Sequence, residues 1–257
     1  MAGEAFALTD KTIVITGGGR GLGQAYALAA AELGAKIVAA DVIPTDDTVA
    51  QVTGKGGDCI GVALDVRDEE SCRAMAAAAT EAFGGIDGLI NNAALYGALT
   101  GGRFDAIDPG EWDDAMAVNV KGIWNCCKAA VPAMRERGGG SVINIASLAA
   151  RFGMPYALHY TTSKAAVVGL TRGLAREIGR DNIRVNAMAP SAVITEGTRE
   201  FFAAKLDNAL DVIRNGQIIR RSMTPDDVIG TAMWLLSDAS AFVTGQTISV
   251  DGGTVLA

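Results

Sequence analysis

Tyr160 and Lys164 stand four positions apart in "HYTTSKAA" (159–166), within a stretch whose apolar pattern predicts one amphipathic helix over about 155–179. On a helix that spacing puts both side chains on one face, with Cβ atoms roughly 5–6 Å apart, so an ammonium group can sit beneath a phenol. A tyrosine at its ordinary pKa of about 10 is a poor base near neutrality, and lowering it by about 3 units takes roughly 4 kcal/mol of preferential stabilisation of the phenolate. One cation in a partly dry site supplies an interaction of that size. The pair therefore reads as a proton-transfer device. Taken singly, Tyr160 is a half-buried core aromatic and Lys164 a solvated helix lysine.

A second constellation lies near the start of the chain. In "TGGGRGLG" (16–23), Gly17, Gly21 and Gly23 follow the β-branched run 13–15 and open a helical pattern. Glycines in that setting let a pyrophosphate approach backbone N–H groups at the positive end of a helix. Asp41 closes the next apolar run, 18 residues beyond Gly23, where a carboxylate accepts hydrogen bonds from both hydroxyls of an adenosine ribose. Against a 2′-phosphate the same carboxylate costs on the order of 4 kcal/mol per unit charge pair at about 4 Å. NAD is the expected cofactor. Arg20, just before Gly21, argues for NADP as the lesser alternative, but no Lys or Arg follows Asp41 to complete a clamp.

The elements that must position these residues follow from the pattern of the chain. Its 257 residues are 49% hydrophobic but only 5% aromatic, with 32 glycines, and no polar linker divides them. That predicts one domain (1–257) of α/β class with an aliphatic core. Apolar runs alternate with helical stretches, the later ones near 109–137, 155–179, 197–214 and 225–237. The result expected is a doubly wound, seven-stranded parallel sheet with helices on both faces. A net charge of −7 without Lys/Arg clusters excludes a nucleic-acid partner. Four cysteines without CxxC spacing and a single histidine predict buried thiols and no metal site. The opening "MAGEAFALTD" has no leader pattern and no apolar run reaches about 18 residues, so no membrane is expected and a cytoplasmic location is.

With "TGGGRGLG", "NNAA" at 91–94, Ser147 at a strand end thirteen positions before Tyr160, "YTTSK" at 160–164 and "VDGG" at 250–253, the chain resembles the short-chain dehydrogenase/reductase family over essentially its whole length. The resemblance implies a Rossmann-type single domain and NAD-dependent exchange of a secondary alcohol and a ketone. Tyr160 would be the general base or acid, Lys164 would lower its pKa and bind ribose, Ser147 would stabilise the substrate oxygen, and Asn119 would support a proton relay through a bound water. The phosphates would lie on Gly17, Arg20, Gly21, Leu22 and Gly23. Asp65 and Val66 would flank the adenine, Asn91, Asn92 and Ala93 the central strand and ribose, and Pro190, Val193 and Thr195 the carboxamide.

The segment 191–222 corresponds to the family's mobile lid. Tyr96, Ala149, Phe152, Ser191, Phe201 and Phe202 are expected to line the substrate pocket, with Met154 and Tyr156 nearby. They favour a medium-sized, partly hydrophobic or aromatic alcohol or ketone, while Arg151 and His159 leave an anionic group open. Ala94 and the Pro190-Ser191 pair depart from glycines common in the family and predict an altered pocket shape. The family also implies a homotetramer paired through the helices around 109–136 and 157–179. The alternatives are an NADP-dependent carbonyl or 3-oxoacyl reductase and a noncatalytic NAD-binding sensor. An extended-type epimerase or dehydratase needs a longer C-terminal region than the four residues after "VDGG".

Overall fold

The β-branched runs become strands of one sheet in the computed structural model, which describes residues 4–256. They are β1 (Thr12–Thr16), β2 (Lys36–Asp41), β3 (Cys59–Ala63), β4 (Gly88–Asn91), β5 (Gly140–Ile145), β6 (Ile183–Pro190) and β7 (Thr247–Val250). All pair in parallel, in the order β3-β2-β1-β4-β5-β6-β7. Strands covered on both faces need apolar side chains on both, which is why β1 and β4 are buried throughout. Strand order reverses between β1 and β4, and the carboxyl ends of the two strands diverge there to leave a crevice.

Helices close both faces. On one, α1 (Gly21–Glu32) brings Tyr26, Ala27 and Ala30 against Ile13 and Ile15, joined by Val228 and Leu235 of a helix over Asp226–Leu236. On the other, α3 (Glu69–Phe83), α5 (Gly122–Glu136) and α7 (Leu158–Ile178) pack Met75, Cys126, Met134 and Val167 against Val14, Leu89 and Val142. Each fully buried aliphatic side chain of this size contributes roughly 1.5–3 kcal/mol.

The sequence pattern does not mark α2 (Asp46–Gly54), where only Thr48 and Val52 face inward and the apolar period is too sparse to read. The helical stretch expected over 109–137 runs unbroken from Pro109 to Glu136, with a π-helical turn (Ala117–Lys121) joining α4 (Pro109–Met116) to α5. The helix expected from 155 begins at Leu158, after a one-turn α6 (Ala149–Phe152) and a left-handed Tyr156 (φ 62°). The stretch expected over 197–214 divides into α8 (Glu196–Phe202) and α9 (Leu206–Gly216), because Ala203 takes φ 42° and breaks the hydrogen-bond ladder. The helix over Asp226–Leu236 is α10. No helix among the described residues is long and apolar enough to cross a membrane.

Candidate active site

The crevice between β1 and β4 starts at the glycine loop. Gly17 has φ 67°, and a Cβ there would lie 2.8 Å from Asn92 Nδ2 and 2.9 Å from the Ala93 Cα. Asn92 holds that closeness by donating to the carbonyls of Thr16 (3.0 Å) and Gly17 (3.1 Å), while Thr16 Oγ1 accepts from the N–H groups of Asn92 and Ala93. Gly21 (φ 59°) has open space, the nearest atom to a Cβ being Thr195 Cβ at 3.8 Å. Gly23 has a different task from the one expected. A Cβ on it would come within 1.9 Å of the Gly17 carbonyl oxygen, so it lets α1 lie against the loop and does not line the crevice.

The first turn of α1 has no acidic residue, and its N-cap, Arg20, makes no capping hydrogen bond, whereas α3 is capped by Asp68. Gly21 and Leu22 line the crevice, so the uncapped positive end of α1 faces open space and fits a phosphate. Asp41 sits at the rim, accepting from Gly19 N–H (2.9 Å) and Ile43 N–H (3.3 Å). Val66 and Asp65 line the same end. Arg67, which the sequence reading did not single out, pairs with Asp65 at 2.7 Å and holds its carboxyl below the usual range. Asn91 is corrected. It lies in the sheet interior, donating to Asn144 Oδ1 at 2.8 Å, and Asn144 in turn donates to Thr171. A strand-end asparagine and an interior one look alike in sequence. These residues form a cradle that fits an extended dinucleotide.

At the other end of the crevice, Tyr160 and Lys164 project from α7 toward the end of β5. Lys164 Nζ lies 5.7 Å from the Tyr160 ring centre and donates to the Ile145 carbonyl at 2.8 Å. Both residues are buried. Burial pushes the phenol up to about 12, with the Ser147 side chain pulling the other way, and pushes the ammonium down to about 8. The sequence predicts that the lysine, helped by the positive nicotinamide ring of a bound cofactor, acidifies the phenol. Here desolvation exceeds their attraction, and each group is driven toward its neutral form.

Ser147 Oγ accepts from Ala149 N–H at 3.1 Å, which leaves its own O–H to donate into the crevice. Asn119 lies buried in the π-helical turn. Its Oδ1 accepts from Leu95 N–H (2.7 Å), and its Nδ2 donates to the Leu95 carbonyl and to Ser163 Oγ, both at 3.1 Å. Ser163 Oγ donates to the Tyr160 carbonyl at 2.8 Å. The Asn119 side chain thus ties the loop after β4 to the start of α7.

The space above Tyr160 is aromatic. The Tyr96 ring lies 5.0 Å from that of Tyr160 and stacks on Phe201 at 4.5 Å, and Phe202 meets Phe201 edge-on. These residues line one cleft of about 1190 Å³, together with Ala149, Phe152, Met154, Tyr156, Ser191, Pro190, Val193 and Thr195. Lys205, at the join of α8 and α9, and Val212, within α9, also line it and were not singled out in the sequence. Arg151 does not line the cleft. His159 is fully buried, with Nε2 3.7 Å from Glu111, and meets no substrate space. Arg20 is engaged by α8: its guanidinium forks onto Glu200 (2.7 and 3.1 Å) and reaches Glu196 at 3.3 Å.

Comparison with known proteins gives one consistent picture. Residues 17–255 match the family model described as enoyl-(acyl carrier protein) reductase. An uncharacterised oxidoreductase of Mycobacterium tuberculosis is 41% identical over 250 residues, covering 96% of this chain and 98% of that protein. Among solved structures, one described as a short-chain alcohol dehydrogenase of Sinorhizobium meliloti superposes with a TM-score of 0.91 at 35% identity, covering 97% of this chain and 98% of that one. Another, described as an NAD(P)-dependent gluconate 5-dehydrogenase of Beutenbergia cavernae with NADP bound at low occupancy, gives 0.90 at 33% identity, with coverage of 97% and 98%.

Proposed function

The chain belongs to the short-chain dehydrogenase/reductase family of oxidoreductases, and from that premise we propose that it interconverts a secondary alcohol and a ketone with NAD. The observation that carries this reading is one cleft with Tyr160, Ser147 and Lys164 at one end and the uncapped α1 terminus with Asp41 at the other. When bound, the nicotinamide supplies the hydride acceptor or donor.

The protein's own residues handle the oxygen and its proton. The free O–H of Ser147 donates to the substrate oxygen and stabilises charge that develops there. Tyr160 exchanges a proton with the same oxygen. In ketone reduction the neutral phenol is the required form, and a pKa of about 12 keeps it loaded across the neutral range. In alcohol oxidation the phenolate is required, and Lys164, protonated below about 8, favours it. Asn119, joined to α7 through Ser163, supports the path that returns the proton to solvent.

Tyr96, Phe152, Phe201 and Phe202 favour a medium-sized, partly apolar substrate. A cytoplasmic homotetramer paired through α4, α5 and α7 completes the reading. NADP-dependent carbonyl or 3-oxoacyl reduction is the second reading, favoured by Arg20 and by the NADP in the Beutenbergia protein. The Asp41 carboxylate at the ribose end supports NAD over it.

The test is an alcohol and ketone panel with NAD and NADH, repeated on Tyr160→Phe. The variant is expected to lose at least about 100-fold in turnover while binding NADH within about twofold by calorimetry. Undiminished turnover in the variant removes Tyr160 from the proton-transfer role.

A further inference from the structure

Arg20 belongs to the glycine loop, next to Gly19, whose N–H is bound by Asp41. It therefore stands one residue from the carboxylate that marks the ribose end of the crevice, within reach of a 2′-substituent on that ribose. Its guanidinium is instead held by the lid helix. Glu200 takes Nη1 and Nη2 at 2.7 and 3.1 Å, and Glu196, one helical turn earlier, takes Nη1 at 3.3 Å. Glu200 is itself seated, because its Oε2 lies where a side chain on Gly97 would be, 2.5 Å from a Cβ built there. Arg20 in turn holds the Glu200 carboxyl below its usual range.

We propose that Glu196 and Glu200 are specificity-determining residues that withdraw Arg20 from the 2′ position, so that the lid as well as Asp41 selects against NADP. The inference rests on the reading that the cleft binds a nicotinamide dinucleotide. A forked guanidinium has its best donor pair committed to one carboxylate, so a 2′-phosphate must break that fork to recruit it. The freed carboxylates would then add repulsion toward the phosphate. A dinucleotide with a free 2′-hydroxyl has no use for the guanidinium and leaves the latch closed. All three side chains are part-exposed, at 48%, 65% and 45%, so the effect is set by a small network of screened charges.

The test is calorimetric titration of NADPH and NADH into the wild type, Glu200→Gln and Glu196→Gln/Glu200→Gln, each with and without Arg20→Gln. The double glutamine variant is expected to bind NADPH roughly tenfold tighter, as two screened ion pairs allow, with NADH changed less than about twofold. Adding Arg20→Gln is expected to abolish the gain. Unchanged NADPH affinity in the double variant overturns the proposal. So does a gain that persists without Arg20, since removal of negative charge alone would then explain it. The wild-type preference between the two nucleotides reads Asp41, and the response to the glutamine substitutions reads the latch, so either assignment can fail without the other. A wild type that binds neither nucleotide ends both.

Discussion

A phenol and an ammonium group buried side by side share one cost, the loss of water around whichever of them is charged. In this protein that cost is visible in opposite directions, with Tyr160 pushed up to about 12 and Lys164 down to about 8 by the same burial. Their pairing was legible because i and i+4 fix a helix face, but their protonation was not, because desolvation depends on depth and four-residue spacing says nothing of depth. The lysine makes a stability prediction. Below pH 8 both folded and unfolded chains hold its proton. Between about 8 and 10.5 the unfolded chain holds a proton that the folded chain has released, so folding is increasingly favoured as pH rises through that window. Tyr160 acts later and oppositely: its contribution is full below its ordinary pKa of about 10 and is lost as pH rises through about 12. Lys164→Met should therefore flatten the rise, and the stability difference, wild type minus variant, should grow by up to about 3 kcal/mol across pH 8–10.5. Urea unfolding at several pH values measures it, and parallel curves would show that Lys164 titrates as an ordinary surface lysine.

At the level of elements, the seven strands were legible because buried parallel strands must be apolar along their whole length. What escaped was decided by contacts between elements. The π-helical turn around Asn119 and the break at Ala203 leave no local signature, and Asn91 and His159 differ from site residues only in where the fold points them. Gly23 is instructive, since the motif was legible and its task was not: it spaces α1 from the loop. Gly23→Ala would drive a methyl group to 1.9 Å from the Gly17 carbonyl, where neither backbone can yield. We expect a loss of at least about 2 kcal/mol in thermal or chemical unfolding, together with weakened NADH binding. Gly230→Ala, in the middle of α10 with nothing within 4 Å of the added carbon, is the contrast. It should gain about 0.5–1 kcal/mol by helix propensity alone and leave nucleotide binding unchanged. Equal losses from both substitutions would show that the contact at Gly17 does not control the position of α1.

On the scale of the whole molecule, the cleft takes its walls from the loop after β1, the end of β2, the end of β5, α7, α8 and α9, segments spread from Gly17 to Gly216. Only the folded chain brings them together, so a dinucleotide that needs all of them binds the native state and not the unfolded one. Mass action then converts affinity into stability: at a hundred times its Kd, NADH should stabilise the protein by about 2.7 kcal/mol. The same concentration of NADPH should stabilise it less, because its 2′-phosphate meets Asp41, whose carboxylate is pinned at the crevice rim by the Gly19 and Ile43 N–H groups and cannot easily swing aside. Asp41→Ser removes the charge and keeps a hydroxyl for the ribose, so it should narrow the gap between the two nucleotides chiefly by strengthening NADPH. Thermal unfolding with each nucleotide measures all four combinations. A gap of the same size in Asp41→Ser would move the selection away from Asp41, to the other groups that surround the ribose.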